Sequence, residues 1–476
     1  MGDFKPLPVD GLRSSGVASV GNVIAPSRGA SLSVPEPIDI AALIDRHPMS
    51  PLQIRTVVLC GLTALLDGFD LLAIGVAAPA VTESLRIPPA LLGTLFSAAL
   101  LGLMLGAFAL GPVADRIGRR SLLIGATAMF GGFTLLTAHA ASLQELIVFR
   151  FFAGVGLGGA MPAFISLAAE YTPRSHRRQV VALLWAGFPL GGVAVGLLAA
   201  WLIPAGGWRV LFLIGGVVPL GLALVLLCLL PESIAFLASQ AAADPRIRTL
   251  LNRIVPDVNI GAEVHITCPA EPSQSGARAL FEHGRGPVTA LLWGSYFATF
   301  LMLITTTAWA PTLLEQSGLA RAQAAEAIAL FAAGSVIGTP LAGILLAWLG
   351  TRDLLPIALL GGAATIGALG IAGPSPTLVL AILFCAGFCL GVASSGLIAL
   401  APLLYPTPIR STAVGWAMGW GRAGSFAGPL MVGMFVTSGW RVAGSFAALG
   451  TAGLVGMVLT ACLARTNIAS RDDATA

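Results

Sequence analysis

The stretch Gly111-Pro112-Val113-Ala114-Asp115-Arg116-Ile117-Gly118-Arg119-Arg120 carries four charges in its last six residues. Yet it stands between two apolar runs, Leu91–Leu110 before it and residues 121–139 after it. About 20 apolar residues are needed for a helix to cross ~30 Å of hydrocarbon. A short basic segment between two such runs therefore reads as a hairpin at a membrane surface. The whole chain agrees. Of its 476 residues 56% are apolar and only 10% charged, with a mean hydropathy of +0.89, too little charge to cover a soluble protein of this size. The 58 glycines and 31 prolines suit helices packed closely in lipid.

Working outward, the same pattern yields twelve spans, near 55–81, 90–112, 121–139, 143–169, 180–203 and 208–230, then 287–311, 323–349, 354–373, 376–400, 411–437 and 441–464. The expected organisation is a polar N-terminal tail (1–54) without a secretory signal, a six-helix bundle (55–230), a central linker (231–286), a second six-helix bundle (287–464) and a C-terminal tail (465–476). Arginine sets the orientation. It clusters after spans two (Arg116, Arg119, Arg120) and four (Arg174, Arg177, Arg178), in the linker, and after spans eight, ten and twelve (Arg352, Arg410, Arg465). Both tails and the linker are accordingly expected in the cytoplasm.

The halves echo each other. Gly207-Trp208-Arg209-Val210 recurs as Gly439-Trp440-Arg441-Val442, and Ala153-Gly154 with Leu157-Gly158 as Ala386-Gly387 with Leu390-Gly391. Duplicated bundles are a transporter pattern, with the substrate held near the midplane where they meet.

Several chemistries find no footing. Lys5 is the only lysine, so no P-loop is present. Gly154-Val155-Gly156-Leu157-Gly158-Gly159 fits a dinucleotide pattern but lies inside an apolar helix, where close packing is its reading. Cys385 and Cys389 are one turn apart without a His or carboxylate nearby, and read as buried small-residue packing. The five histidines fall in tails, loops or span ends. No enzyme, cofactor, metal or nucleic acid is expected.

Four ionisable residues lie well inside spans: Asp67, Asp70, Arg150 and Arg422. Each costs ~3 kcal/mol or more at the bilayer centre and is a functional candidate. Counting 1.5 Å per residue puts all four about 16 to 22 Å from the inner edge. They can neutralise one another as structural pairs, Arg150 with an Asp in particular. They can equally form a coupling site, in which a carboxylate loads a proton outside and releases it inside while an arginine holds an anion. Trp293, Tyr296, Phe297 and Phe300 make an aromatic stripe on span seven, which is either helix packing or a surface for a substrate ring. Trp416 and Trp420 point away from Arg422 around span eleven.

The opening stretch resembles the GxxxD(R/K)xGR(R/K) signature of the major facilitator superfamily. Its second-half counterpart, Gly343 to Gly350, has Ala347 and Trp348 where the Asp and Arg would stand. Leu66-Asp67-Gly68-Phe69-Asp70, Arg150-Phe151-Phe152-Ala153-Gly154, Leu230-Pro231-Glu232-Ser233 and Gly421-Arg422-Ala423-Gly424 resemble elements of the aromatic acid:proton symporter family. The resemblance implies a helical fold of twelve transmembrane segments in two pseudo-repeated bundles. It also implies uptake of a benzoate-like acid with protons by alternating access, the chain working as a monomer in the bilayer. It implies proton coupling at Asp67 and Asp70 and carboxylate binding at Arg422 and Arg150, with ring contacts expected from Trp293, Tyr296, Phe297 and Phe300. A cytoplasmic gate is expected at Gly111, Asp115, Arg116, Gly118, Arg119, Arg120, Glu170 and Arg410, where Asp115 would latch the two halves. Import of a non-aromatic acid such as muconate, and proton antiport that exports drugs or metabolites, remain alternatives.

Overall fold

The structure is a computed structural model that describes residues 38–240, 245–254, 266–267, 277–373 and 375–472. Most of the expected N-terminal tail, Asp244, Asp257, Glu263, His265 and Cys268 of the linker, and residues 473–476 lie outside the described residues. The described residues belong to one unit, Pro37–Ala476.

Twelve long helices form it. The first six are α1 (Pro51–Leu85), α2 (Leu92–Ile117), α3 (Arg119–Thr137), α4 (Leu143–Glu170), α5 (Arg174–Gly206) and α6 (Trp208–Leu229). The second six are α7 (Gly286–Gln316), α8 (Arg321–Gly350), α9 (Arg352–Leu369), α10 (Pro376–Leu400), α11 (Thr407–Thr437) and α12 (Val442–Thr466). Among the described residues eleven have the length and hydropathy to cross a membrane. Helix α11 matches them in length, but Arg422, two tryptophans and its glycines dilute its apolar character. The chain is thus an all-helical integral membrane protein, its only strands a two-residue parallel pairing of Ile38–Asp39 with Ile266–Thr267 among the described residues.

The helices run past the apolar stretches into the polar turns. Asp115 and Arg116 form the last turn of α2, and Arg119 opens α3. The break between them is Gly118, at φ +93°, a conformation that L side chains rarely adopt. Gly350, at φ +73°, makes the same break between α8 and α9 although the charges around it are gone. Around the expected linker, Ile234–Gln240 and Pro245–Ile254 are short helices. Ile247, Leu251 and Ile254 join one apolar cluster with Ile44 from the helix Ile40–Asp45. The start of α1 is fixed by a reciprocal cap between Ser50 and Gln53, and the Gln53 amide also donates to the Tyr171 carbonyl at the end of α4 (2.8 Å).

The Gly154 to Gly159 run is a helix crossing, as its place in an apolar span suggests. A Cβ on Gly154 would overlap the Ala99 carbonyl of α2, and one on Gly102 the Phe151 carbonyl of α4. The equivalent pair in the second half, α8 and α10, repeats this contact through Gly387 and the Phe331 carbonyl. Without a hydrophobic force between helices in lipid, such close backbone approach supplies the packing energy. Cys385 departs from expectation: it is exposed on the outside of α10 rather than packed within.

Gly154→Ala is expected to destabilise the purified protein by about 1–3 kcal/mol through overpacking against backbone that cannot yield. Gly125→Ala, where a Cβ meets nothing within 4 Å, should leave thermal melting in detergent unmoved. Equal melting of the two variants would contradict the crossing.

Candidate functional site

A cavity of about 120 Å³ lies between the two six-helix halves, with walls from α1, α2, α4 and α5 on one side and α7, α8, α10 and α11 on the other. Its lining is mostly apolar, and only Asp67 and Arg422 on it are charged. They come from opposite halves. No ion pair joins them among the described residues. Asp67 is 4% exposed, and its Oδ1 has no hydrogen-bond partner. Arg422 donates Nη2 to Met161 Sδ of α4 (2.6 Å). A thioether is a weak acceptor, so the guanidinium retains most of its capacity for a stronger one. A buried carboxylate oxygen without a partner is costly, which makes this pair the chemical centre of the cavity.

The other two intramembrane charges are placed quite differently. Asp70 and Arg150 are both fully buried and do not line the cavity. Arg150 grips Asp70 with both ends of its fork, Nη1 to Oδ1 at 2.9 Å and Nη2 to Oδ2 at 3.0 Å, while Nη2 also reaches the Asp70 carbonyl at 2.9 Å. Thr134 of α3 donates its hydroxyl to the same carboxylate, and the Phe212 ring of α6 lies 5.8 Å from the guanidinium. Four helices of one half are pinned at this point. Such bidentate, charge-assisted bonds are strong and geometrically demanding. In this arrangement Asp70, expected in proton coupling, and Arg150, expected at the substrate carboxylate, are paired with each other.

Apart from the Arg422–Met161 contact at the cavity, the polar and aromatic contacts between the halves gather toward one end. There Arg321 bridges Glu83 of the other half at 2.9 Å, and Ser97 donates to the Phe426 carbonyl at 3.0 Å. Phe96 meets Trp309 edge-on, 5.6 Å between centroids. These contacts lie at the end away from the arginine-rich turns. At the basic end a cleft runs between α2 and α11, with Phe108, Trp416 and Trp420 on its walls.

A profile of the Major Facilitator Superfamily matches residues 60–320 and again 291–474. The chain belongs to that superfamily. It is 38% identical over 418 residues to the 4-hydroxybenzoate transporter of Pseudomonas putida, covering 87% of this chain and 92% of that one. The gallate transporter of the same organism is 36% identical (88% and 93% covered). The benzoate transport protein of Acinetobacter baylyi is 30% identical (88% and 91%). In fold it is similar to the D-xylose-proton symporter, at a TM-score of 0.67 and 19% identity, covering 86% of this chain and 97% of that one. A bacterial homologue of the lysosomal transporter Spinster in an inward-facing, unoccupied conformation is also similar, at a TM-score of 0.65 and 19% identity, covering 87% and 96%.

The superfamily's basic signature is here a clamp inside one half. Arg119 pairs with Glu170, which also accepts from Ser233 Oγ (2.6 Å). Glu232 accepts from the Arg120 backbone (3.0 Å), and Arg120 Nη2 donates to the Leu227 carbonyl (2.6 Å). Asp115 and Arg116 stand exposed and make no ion pair among the described residues. The expected latch of Asp115 across the seam is thus not made in this conformation, because the halves are parted at that end. Arg410 contacts only its own half, through the Tyr405 carbonyl (3.4 Å). The Gly111 position is open, with nothing within 4 Å of a Cβ there.

Of the expected ring contacts only Phe300 lines the cavity. Trp293 instead stacks on Trp416 and Trp420, at 5.6 and 5.4 Å, and Tyr296 is fully buried with its hydroxyl on the Leu397 carbonyl (3.1 Å). Phe297 packs toward Trp420. Apart from Phe300, the stripe faces α10 and α11. The rings that do face that space are Phe164, Trp185, Phe188, Phe300 and Phe331. They are dispersed over four helices and form no stripe in the sequence. Glu232 and Ser233 of the clamp carried a motif resemblance but no role.

Asp70→Asn removes one partner of a buried pair and is expected to cost about 3–5 kcal/mol of stability. Asp67→Asn, on the cavity wall, should cost far less. Thermal melting of the two purified variants compares them directly, and equal melting points would remove Asp70 from its structural place.

Proposed function

We propose that this chain is a secondary active transporter that imports a small aromatic carboxylate together with protons across the bacterial inner membrane. The observation that carries the reading is the pair Asp67 and Arg422, unjoined and facing one cavity from opposite halves. The relatives' names supply the substrate class, and the cavity's size agrees with it. Its volume is comparable to the ~150 Å³ apolar cavity that takes up a benzene ring, while the five rings on its walls offer edge and face contacts to another.

In the proposed cycle Arg422 holds the substrate carboxylate and Asp67 carries the proton. An ionised Asp67 competes with the substrate for the field of Arg422. Once neutral, it leaves the guanidinium to the incoming anion, so the loaded cavity contains one cation and one anion rather than an excess of negative charge. The substrate enters when the halves part at the Glu83–Arg321 end and leaves through the cleft between α2 and α11. Arginine bias places the basic turns, both termini and the residues 231–286 between the bundles on the cytoplasmic side, so the state described here is open inward. The two bundles, residues 55–230 and 287–464, rock as units around the site in a monomer.

Reconstituted in liposomes, the wild type should accumulate labelled 4-hydroxybenzoate when the outside is acidified and lose that accumulation with an uncoupler. Asp67→Asn should abolish gradient-driven accumulation while retaining exchange of internal for external acid, and Arg422→Gln should weaken apparent affinity at least tenfold, the loss of a charge-assisted bond. Accumulation by Asp67→Asn at the wild-type level would defeat the coupling assignment. Extrusion driven by the same gradient would identify an exporter.

A further inference from the structure

One wall of the cleft at the basic end is bare backbone. Gly415 and Gly419 stand one turn apart on α11 and line a space of about 640 Å³. Trp416 and Trp420, one position on from each, rise along one side of this strip and are 46% and 40% exposed. Opposite them on α2, Phe108 is 67% exposed, and its Cζ lies 3.9 Å from where a Cβ on Gly419 would be. A large ring thus stands over a glycine strip and covers none of it fully. The second half has no charged turn with which to close this end, because Ala347 and Trp348 replace the acid and the arginine.

The other ends of the same two helices are already closed. There a Cβ on Gly433 of α11 would fall 3.2 Å from the Gly93 Cα of α2, and one on Gly93 would fall 2.7 Å from the Pro429 carbonyl. Helix α2 runs toward the basic end and α11 away from it, so each step along one is answered by a step back along the other. The Ser97–Phe426 bond and the approach of Phe108 to Gly419 keep this register. Continued, it sets Gly111 against Gly415. Gly93 and Gly111 are eighteen residues apart, and so are Gly415 and Gly433. That spacing is about five full turns, which puts both members of each pair on the same face of their helix. One glycine pair is in contact. The other is open, with nothing within 4 Å of a Cβ on Gly111 or Gly415.

We infer that the basic end closes by a ring-on-glycine contact between α2 and α11, in which Phe108 lies on Gly419 against the indoles of Trp416 and Trp420 while Gly111 meets Gly415. The cleft's occupant in the alternate state is therefore the chain's own α2. Glycine permits the approach, and the rings supply contact area where the second half lacks charge. The inference rests on the rocking of the bundles in the proposed function and on none of its substrate chemistry.

The test reads opening of the far end without substrate. Ser97 is 2% exposed on that seam and becomes reachable only when the halves part there, which requires the basic end to close. In intact cells, Ser97→Cys in a chain whose native cysteines are serine is labelled with a membrane-impermeant maleimide, and the labelled fraction of purified protein is followed in time. Gly419→Leu should slow labelling about tenfold, the order of effect expected from overpacking a closed contact. Adding Phe108→Ala should bring the rate back to within about threefold of the background, because the two positions are coupled through the ring that is removed. Gly125→Leu, away from the cleft, should leave the rate unchanged. Gly419→Ala carries the same comparison at smaller amplitude where leucine prevents insertion. Unchanged labelling in the position-419 variants, or slowing that Phe108→Ala does not relieve, would overturn the contact while leaving aromatic-acid import standing. The expected pattern in a chain that accumulates no aromatic acid would keep the contact and overturn the proposed substrate. A background that is never labelled would overturn both the alternation and the contact.

Discussion

An ionised side chain in hydrocarbon must be neutralised, solvated or used, and this constraint separates the four buried charges of the chain into two kinds. Asp70 and Arg150 neutralise each other: both ends of the guanidinium fork are occupied, a threonine donates to the carboxylate, and neither residue lines the cavity. Asp67 and Arg422 have no such arrangement, one lacking a partner for Oδ1 and the other resting on a thioether. The same chemistry, three residues apart on α1, thus joins helices of one bundle at Asp70 and leaves an unmet electrostatic demand at Asp67. Both kinds are needed. A bundle that is to rock as a unit needs an internal pin that does not change as substrate and proton come and go.

The duplication shows which parts of the fold are dictated by packing. The glycine crossing of α2 on α4 recurs as that of α8 on α10, and the positive-φ breaks at Gly118 and Gly207 recur at Gly350 and Gly439. The charges do not recur. Arg119, Arg120, Glu170, Glu232 and Ser233 tie the basic end of the first bundle together, whereas the second bundle presents Ala347 and Trp348 there, the latter 81% exposed. An indole suits the interface between acyl chains and water, where one edge is apolar and the other polar. At this end the second bundle thus presents an exposed aromatic where the first has an ion pair and the hydrogen bonds around it.

Much of the fold was legible in the sequence because a helix in lipid must satisfy its own backbone and be apolar over a fixed length. Even α11, the least apolar of the twelve, stands out through its position in the duplicated pattern. Legibility declined wherever function depends on which neighbour a helix faces. Depth along the membrane normal follows from counting residues. Counting could not tell that Asp67 and Asp70, close together on one helix, face different surroundings. The aromatic stripe of α7 was equally visible, but a stripe defines a face without naming its partner, and Trp416 and Trp420 of α11 cover it. The rings that reach the cavity are spread over four helices, with no more than two on any one of them, and no local pattern marks them.

Placing the acid on one bundle and the base on the other has a consequence for coupling. If both charges belonged to one half, loading them would alter that half alone, and the rocking of the two bundles would be indifferent to it. With Asp67 on α1 and Arg422 on α11, the attraction between them depends on the distance between the halves, which alternation itself changes. A ligand shifts a conformational equilibrium only by its differential affinity for the two states. In the proposed cycle a proton on Asp67 and an anion on Arg422 each alter a force that spans the moving interface, so each can bias the same motion. The Asp70–Arg150 pair lies wholly inside one bundle and has no such leverage, however strong it is. In this architecture the weaker pair, left open across the seam, is the one suited to couple chemistry to movement.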